Sequence, residues 1–412
     1  MRDYEKPGHI ENLSTEQSQT LKSFYIKFFK ALQYDSNLEG KVDPKTQSKS
    51  TWGFSWSSTK AAEEEEIKDV LPQKAFEDDY ISWSKALHVL FLFCAYDNPD
   101  AICLRFVRAR KWDVNKATDM MMKALVWREQ YNVKDLLKDA EKLVDVKELK
   151  AGKGYLLDYD KQGRVICYLH VARHFPAETD LKMIERYSVL TVENGRLMLG
   201  EGREQTTLVF DLTGFSLKNM DYAYVKFLLS CFEAYYPESL GLILILNAPS
   251  VFNGCFMMIK GWLDPVVASK IKFVSSKEIC SYIDKSKLPG VILKHLKTSG
   301  EEVEEEELSK AFVYEYNEAS EEEVEKLEKL RSDKEREDKV FDDFKKCGLD
   351  FYKVTEQWAK SEMEDKSLTE KRELAIMKLR ESYKELVPFV RSKSHYHRNI
   401  NYKVFDGGFD VL

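Results

Sequence analysis

Between residues 154 and 274 apolar runs alternate with helix-patterned segments, and that alternation restricts the fold more than any other feature of the chain. "LGLILIL" (240–246) carries no polar side chain, so a strand there must be covered on both faces. "GYLLDYDKQGRVICYLHV" reads as a strand, a turn at "DKQGR" and a second strand. "TTLVFDLTG" and "IKFV" supply further strands. Helices are expected at about 180–200, over "NMDYAYVKFLLSCFEAYY", and at about 249–263, followed by a short turn at "LDPVVASK". Apolar strands separated by helices imply an α/β fold with a mixed, mostly parallel sheet covered by helices.

The flanks are helical. Ser14 and Gln17 form a capping-box pattern before "TLKSFYIKFFKALQY", whose Leu21, Phe24, Phe28 and Leu32 recur at helical spacing. Residues 1–34 are therefore an amphipathic N-terminal helix, which either packs on the main body or lies in a lipid interface. Residues 35–78, with "KTQSKS" and "AAEEEE", have the composition of a disordered linker. Residues 79–150 form a helical module. Asn98 and Pro99 start one of its helices and Asp113 the next, with Met120, Met121 and Met122 as core filler. In that module Arg105, Arg108, Arg110 and Lys111 are expected outside the apolar face of Ile102, Phe106 and Ala109. The sheet domain spans 151–298. The run "EEVEEEE" at 301–307 places a solvated acidic linker over 299–318. A helical extension occupies 319–412, with helices at about 319–346, 349–363 and 367–390. The last is opened by a Ser367–Glu370 capping box and striped by Ile376, Leu379, Tyr383 and Leu386.

The net charge of −7 and a pI near 5.7 disfavour nucleic acid as a partner. Seven scattered cysteines without a CxxC pair suit a reducing compartment. "MRDYEKPGHIENLSTEQ" is too polar for a secretory signal, and the apolar stretch "ALHVLFLFCAY" falls short of the roughly 20 residues that span a bilayer. A cytoplasmic protein, peripheral on membranes, is the expectation. No GxGxxG, GxxxxGK[ST] or GxSxG motif supports an enzyme. His170 and His174 lie about 13 Å apart if extended, too far to share a metal; "HYH" at 395–397 lies in a polar tail. Asp211 ends a strand where α/β enzymes hold acids, but a carboxylate accepting turn N–H groups explains it as well. "SVFNGCFMMIKGWLDP" sets Phe252, Phe256, Ile259 and Trp262 at helical spacing, with Met257 and Met258 between Gly254 and Gly261. That stripe is either core or a helix able to swing on hinges.

The ordered run from "DLTGF" at 211 through "YYPESLGLILILNAP" to "WLDPVVASKI" at 271 resembles the CRAL-TRIO lipid-binding domain of fungal phosphatidylinositol transfer proteins. "RFVRARKWDVNKA" resembles that family's N-terminal module, and "VTEQWAK" with "VPFVRSKS" a branch with a C-terminal helical extension. The resemblance implies a non-enzymatic lipid carrier without a cofactor. Phosphatidylinositol would lie in a cavity beneath a movable gate helix at about 249–263, lined by Phe252, Phe256, Met257, Ile259 and Trp262. It implies headgroup recognition by Arg110, Glu238 and Lys270, and a second-ligand subsite at Thr206 and Leu208. Membrane lipids, a transient membrane surface and lipid kinases are the implied partners of a monomer. Val267 stands where well-known members carry threonine, and Leu208 and Thr206 replace a threonine and a serine. "LPGVILKH" lacks the usual double glycine. These departures favour a second ligand more apolar than phosphatidylcholine. Alternative readings are a sterol-like or hydrocarbon carrier or sensor, a lipid-modifying enzyme using Asp211 or His170, and a scaffold acting through its C-terminal helices.

Overall fold

The computed structural model describes residues 3–34, 84–200, 202–362 and 365–399; the expected linker at 35–78 lies outside the described residues. Helix α1 (Thr15–Tyr34) opens on the capping box: Ser14 Oγ accepts from the Gln17 amide, and Gln17 Oε1 from the Ser14 amide. Leu21, Phe24, Phe28 and Leu32 are all buried, so this stripe packs on protein and not on lipid. Helices α2 (Lys85–Cys94), α3 (Pro99–Ala109), α4 (Val114–Gln130), α5 (Val133–Asp139) and α6 (Val146–Ala151) complete the first layer. Asn98 and Asp113 cap α3 and α4 through their side chains, and Met120, Met121 and Met122 are core. Two of the arginines expected on the solvent side turn inward: Arg105 is buried, and Arg108 pairs with the buried Glu204.

The sheet has the order β1-β2-β3-β4-β5. Strands β1 (Gly154–Tyr159) and β2 (Val165–His170) form the antiparallel hairpin. Then come α7 (Leu181–Leu199), β3 (Thr206–Asp211), α8 (Tyr222–Ser230), β4 (Leu240–Leu246), α9 (Phe252–Lys260), α10 (Pro265–Ser269) and β5 (Ile271–Val274). From β2 to β5 every pairing is parallel. The pleat explains the unbroken apolar runs. On β3, Leu208 and Phe210 face a cavity, while Thr207 and Val209 are fully buried on the reverse face. Helix α11 (Gly290–Thr298) adds Ile292, Leu293 and Leu296 to the same core.

The acidic run departs from the sequence expectation. Residues 299–318 are a strap carrying helix α12 (Glu305–Lys310) and not an irregular linker, although Glu302, Glu304, Glu305 and Glu306 are solvated as expected. Lys285 meets Glu307 at 2.8 Å, Lys277 meets Glu301 at 2.9 Å, and Lys297 pairs with Glu305. Val303 is buried, and the Gly290 amide donates to the Phe312 carbonyl. Lysines donated by the preceding domain relieve the repulsion that the isolated run would suffer. Beyond the strap lie α13 (Glu321–Ser332), α14 (Lys334–Lys360), α15 (Lys366–Val390) and α16 (His395–Arg398). The break falls at Asp333, whose side chain caps α14; the expected break near 346–349 is instead continuous helix around a buried Gly348. Asp365, not Ser367, caps α15. The "HYH" segment is no polar tail: His395 is buried, and its amide donates to Glu141 at 2.7 Å.

One buried ion pair joins four helices of this layer. Arg372 on α15 donates to Asp100 on α3 at 2.5 and 2.7 Å and to Thr355 on α14 at 3.0 Å. Tyr25 on α1 donates to the same carboxylate at 2.5 Å. Arg372→Met should therefore destabilise the protein by roughly 3–5 kcal/mol, because Asp100 stays buried without its counter-charge. The Asp100→Asn/Arg372→Met double variant should recover part of that loss. Urea unfolding of the three proteins measures both.

Candidate functional site

Helices α7, α8 and α9 stand off the sheet and enclose a cavity of about 190 Å³, against the roughly 10–15 Å³ that one water requires. Its lining is mostly apolar: Leu208, Phe210, Ile243 and Ile245 from the sheet, Ile184 and Val192 from α7, Val225 and Leu229 from α8. From α9, Phe252, Phe256 and Ile259 close it. The cavity thus lies under the helix for which the resemblance implies a gate. Two of the expected lining residues do not line it. Met257 is 76% exposed, because 100° per residue turns it away from the side shared by Phe252, Phe256 and Ile259. Trp262 packs edge-on against Tyr222 at 5.7 Å, with the Lys226 ammonium 4.5 Å from its ring centre. The packing does not demand glycine at either expected hinge: open space surrounds the Cβ position of Gly254, and Gly261 has φ −66°.

A charged rim borders the cavity where β4 and β5 begin. Lys270, at the end of α10, is half-buried and donates to the Leu240 carbonyl at 2.6 Å. Burial lowers its pKa, and Glu238 opposes that shift. Glu238 adopts φ +61°, a left-handed backbone that costs a residue with a side chain about 1–2 kcal/mol. Its carboxylate forms no hydrogen bond or ion pair with the described residues, although Lys270 and Arg108 both lie within its field. Arg110 caps α3 and approaches Glu233, whose pKa is raised by burial and whose carboxylate accepts from the Asp264 amide at 3.3 Å. Asp264 in turn acts on Lys270. Among the described residues, no group of three or more His, Cys, Asp or Glu could hold a metal ion, and no helix is long and apolar enough to cross a membrane.

Comparison with known proteins agrees with this geometry. The family model described as CRAL/TRIO domain matches residues 149–291, and CRAL/TRIO, N-terminal domain matches 24–123. The phosphatidylinositol transfer protein CSR1 of Eremothecium gossypii is 37% identical over 319 residues, covering 75% of this chain and 69% of that protein. The chain belongs to the CRAL-TRIO family. A CRAL-TRIO domain-containing protein of Schizosaccharomyces pombe is 34% identical over 308 residues, 73% of this chain and just under two thirds (65%) of the relative's length. The crystal structure of Sfh5 aligns over 44% of this chain and 67% of that one, with a TM-score of 0.39 and 18% identity; the fold assignment does not rest on it.

Of the positions implied by CRAL-TRIO resemblance, Glu238 acts on Lys270 electrostatically without an ion pair, and Arg110 acts on Glu233 and not on either of them. Arg108, which sequence reasoning had put on the solvent side, is the arginine that feels Glu238. Its spacing from Arg105 sets both on one helix side, but only the distant Glu204 shows that side to be internal. Leu208 lines the cavity, whereas Thr206 lies one pleat step beyond the lining. Sequence reasoning also missed a polar end of this CRAL-TRIO cavity, where Lys153, His170, His174, Asn219 and Asp221 reach the wall. Asp211 accepts from the Thr213 amide at 3.0 Å and meets His170 at 3.1 Å, the turn-binding role expected as one of its two readings.

Behind the cavity wall, Glu193 on α7 holds the CRAL-TRIO domain to its neighbours. It accepts from Arg128 at 2.6 Å, Tyr236 at 2.7 Å and Arg196 at 3.1 Å. Burial pushes the Glu193 pKa up, but Arg128 and Arg196 overcome it and hold the carboxyl at about 2. With an ordinary value near 4.5, this group contributes roughly 3 kcal/mol of stability above pH 4.5, lost as pH falls towards 2. Glu193→Gln should be several kcal/mol less stable than wild type at pH 7, and the gap should shrink steadily between pH 4.5 and 2. Urea titrations across that window provide the measurement.

Proposed function

We propose that this chain is a non-enzymatic phosphatidylinositol-binding and transfer protein. It extracts the lipid from a membrane into the cavity under α9 and presents or exchanges it, supplying phosphoinositide metabolism and lipid kinases. The observation that carries this reading is the juxtaposition of an apolar cavity with a half-buried charged rim whose Glu238 carboxylate is unpaired among the described residues. Lys270 and Arg110 would bind the phosphate diester as charge-assisted donors, and Glu238 would accept from inositol hydroxyls. The likeness to CSR1, named as a phosphatidylinositol transfer protein, supports the headgroup assignment.

Each buried methylene is worth about 0.8 kcal/mol, so two acyl chains resist leaving a bilayer by roughly 25 kcal/mol. An apolar cavity removes most of that barrier by replacing one dry host with another. No covalent step is required, and Asp211 and His170 are already committed to each other. Leu208 and Val267 both line the cavity, which favours an apolar exchange ligand over phosphatidylcholine. The protein works as a cytoplasmic monomer that visits membranes peripherally. Met257 and Met258 (53% exposed) on the outer side of α9, with Val251 and Phe273 close by, form the contact with lipid, and Lys260 and Lys272 flank it.

Lys270→Glu should lower phosphatidylinositol transfer between vesicles at least tenfold while the melting temperature stays near wild type; undiminished transfer would refute the assigned headgroup site. Met257→Asp/Met258→Asp should weaken co-sedimentation with phospholipid vesicles by roughly tenfold or more, as two soft apolar groups are lost from the contact.

A further inference from the structure

Arg108 stands between two carboxylates, and only one of them holds it. Its Nη2 donates to Glu204 Oε2, and its Nη1 donates to the Gly8 carbonyl at 3.2 Å. The other carboxylate, Glu238, acts on the same guanidinium without a hydrogen bond or ion pair. Chain topology brings the two acids close. Glu204 lies two residues before Thr206, where β3 begins, and Glu238 two residues before Leu240, where β4 begins. Thr206 pairs with Leu240, and the Thr206 amide donates to the Ser239 carbonyl at 2.8 Å. Both acids therefore stand at the same end of the sheet, and α3 delivers Arg108 to it.

A clasp formed by the N-terminal segment fixes which acid is chosen. Residues 3–12 fold back on themselves: the Glu11 amide donates to the Tyr4 carbonyl at 3.1 Å, and the Gly8 amide to the Asn12 carbonyl at 2.9 Å. Asp3 Oδ2 accepts from the Glu204 amide at 2.6 Å, and the Tyr4 amide donates to the Gly202 carbonyl at 3.3 Å. His9 Nε2 lies 3.4 Å from Glu204 Oε2. Gly8 has φ +79°, and a Cβ there would meet the Trp112 ring at 3.1 Å, so the clasp also rests on the loop after α3. Glu204 itself is 1% exposed. Burial pushes its pKa up, but His9, Arg105 and Arg108 overcome this and hold the carboxyl at about 2. It is ionised at neutral pH.

The hold on Arg108 leaves bonding capacity unused. Among the described residues, Arg108 Nε and Glu204 Oε1 are buried without a hydrogen-bond partner. An Arg108 released from Glu204 would find an unpaired carboxylate within its field at Glu238. A guanidinium–carboxylate pair is among the stronger hydrogen-bonded contacts in proteins. Once engaged in it, Glu238 could no longer accept from a ligand.

We propose that Glu204 is a positioning residue of the headgroup site: it sequesters Arg108 and so keeps the Glu238 carboxylate open to inositol hydroxyls. The proposal rests on the phosphatidylinositol reading above. It adds a residue that touches no lipid and acts only through Arg108.

The test measures phosphatidylinositol transfer between vesicles, together with melting temperature, for full-length wild type, Glu204→Gln, Arg108→Met and the double variant. Glu204→Gln removes the charge at nearly constant shape and should lower transfer about tenfold. Glu204→Gln/Arg108→Met should return to within about threefold of wild type, because no arginine remains to occupy Glu238. A loss caused by disturbed packing would instead persist or deepen in the double variant. Undiminished transfer by Glu204→Gln overturns the proposal, as does a double variant as slow as Glu204→Gln. Should Glu204→Gln fail to fold, Arg108→Met decides. Transfer within about threefold of wild type upholds the proposal, and a fall of about tenfold makes Arg108 itself a headgroup donor and overturns it. In all these outcomes wild type still transfers phosphatidylinositol, so the function proposed above stands. A wild type that transfers none defeats that function and this inference with it.

Discussion

The carboxylate of Glu193 is the point on which the rest of the architecture hangs. Helix α7 shows Ile184, Ser188 and Val192 to the cavity, and on its other side the Glu193 carboxylate gathers Arg128, Arg196 and Tyr236. Arg128 belongs to the N-terminal module, and Tyr236 lies two residues before the strained Glu238. The neighbouring Asn194 accepts from Arg391 at 2.9 Å, just past the end of α15. One buried cluster therefore fixes the cavity wall, the loop that carries Glu238, the first layer and the C-terminal extension relative to one another. Such a cluster adds little net stability compared with an apolar replacement, but breaking it from one side is costly. Its value is register: it leaves few ways to arrange the four parts.

The same pairing logic keeps the cavity effectively dry. Charged and polar groups do reach its wall, yet almost every one is neutralised by a partner behind the wall, so the space they enclose behaves as an apolar host. At the rim the logic is reversed. Glu238 is left without a protein partner while Lys270 and Arg108 act on it from a distance. Holding a carboxylate half-buried on left-handed backbone is unfavourable for the protein alone; on the proposed function, inositol hydroxyl donors would satisfy that carboxylate.

The sheet and helix α9 could be read from the sequence because both follow short-range periodicity: strands buried on both faces have nowhere to place a polar residue, and Phe252, Phe256 and Ile259 repeat at helical spacing. Glu238 and Lys270 were found through an ordered motif. What could not be read was whatever a distant partner decides. The acidic strap looks like a free linker until Lys277, Lys285 and Lys297 are placed against it. Arg108 looks exposed until Glu204 arrives from ninety-six residues away. Met257 and Phe256 are adjacent in sequence and similar in hydropathy; 100° per residue sets them on different sides of α9, and the packing of Phe256 on Phe273 shows which side faces in.

The two-sidedness of α9 bears on how a lipid would enter. Its inner side closes an apolar cavity, while its outer side exposes the apolar side chains of Met257 and Met258. On the proposed function, the outer side is satisfied first at a bilayer, and the cost of lifting the inner side off the sheet is then met by acyl chains arriving from the same medium, whereas in water neither compensation exists and the helix would stay down. On the proposed function the charged headgroup need never cross the apolar interior: Lys270 is half-buried and Glu238 is still reached by solvent, so phosphate and hydroxyls exchange water for protein donors at the rim while the chains slide beneath α9. Full burial of that headgroup would cost several kcal/mol per charge. Placing the reader at the strand starts, outside the cavity proper, avoids that cost and leaves the apolar interior to select the chains.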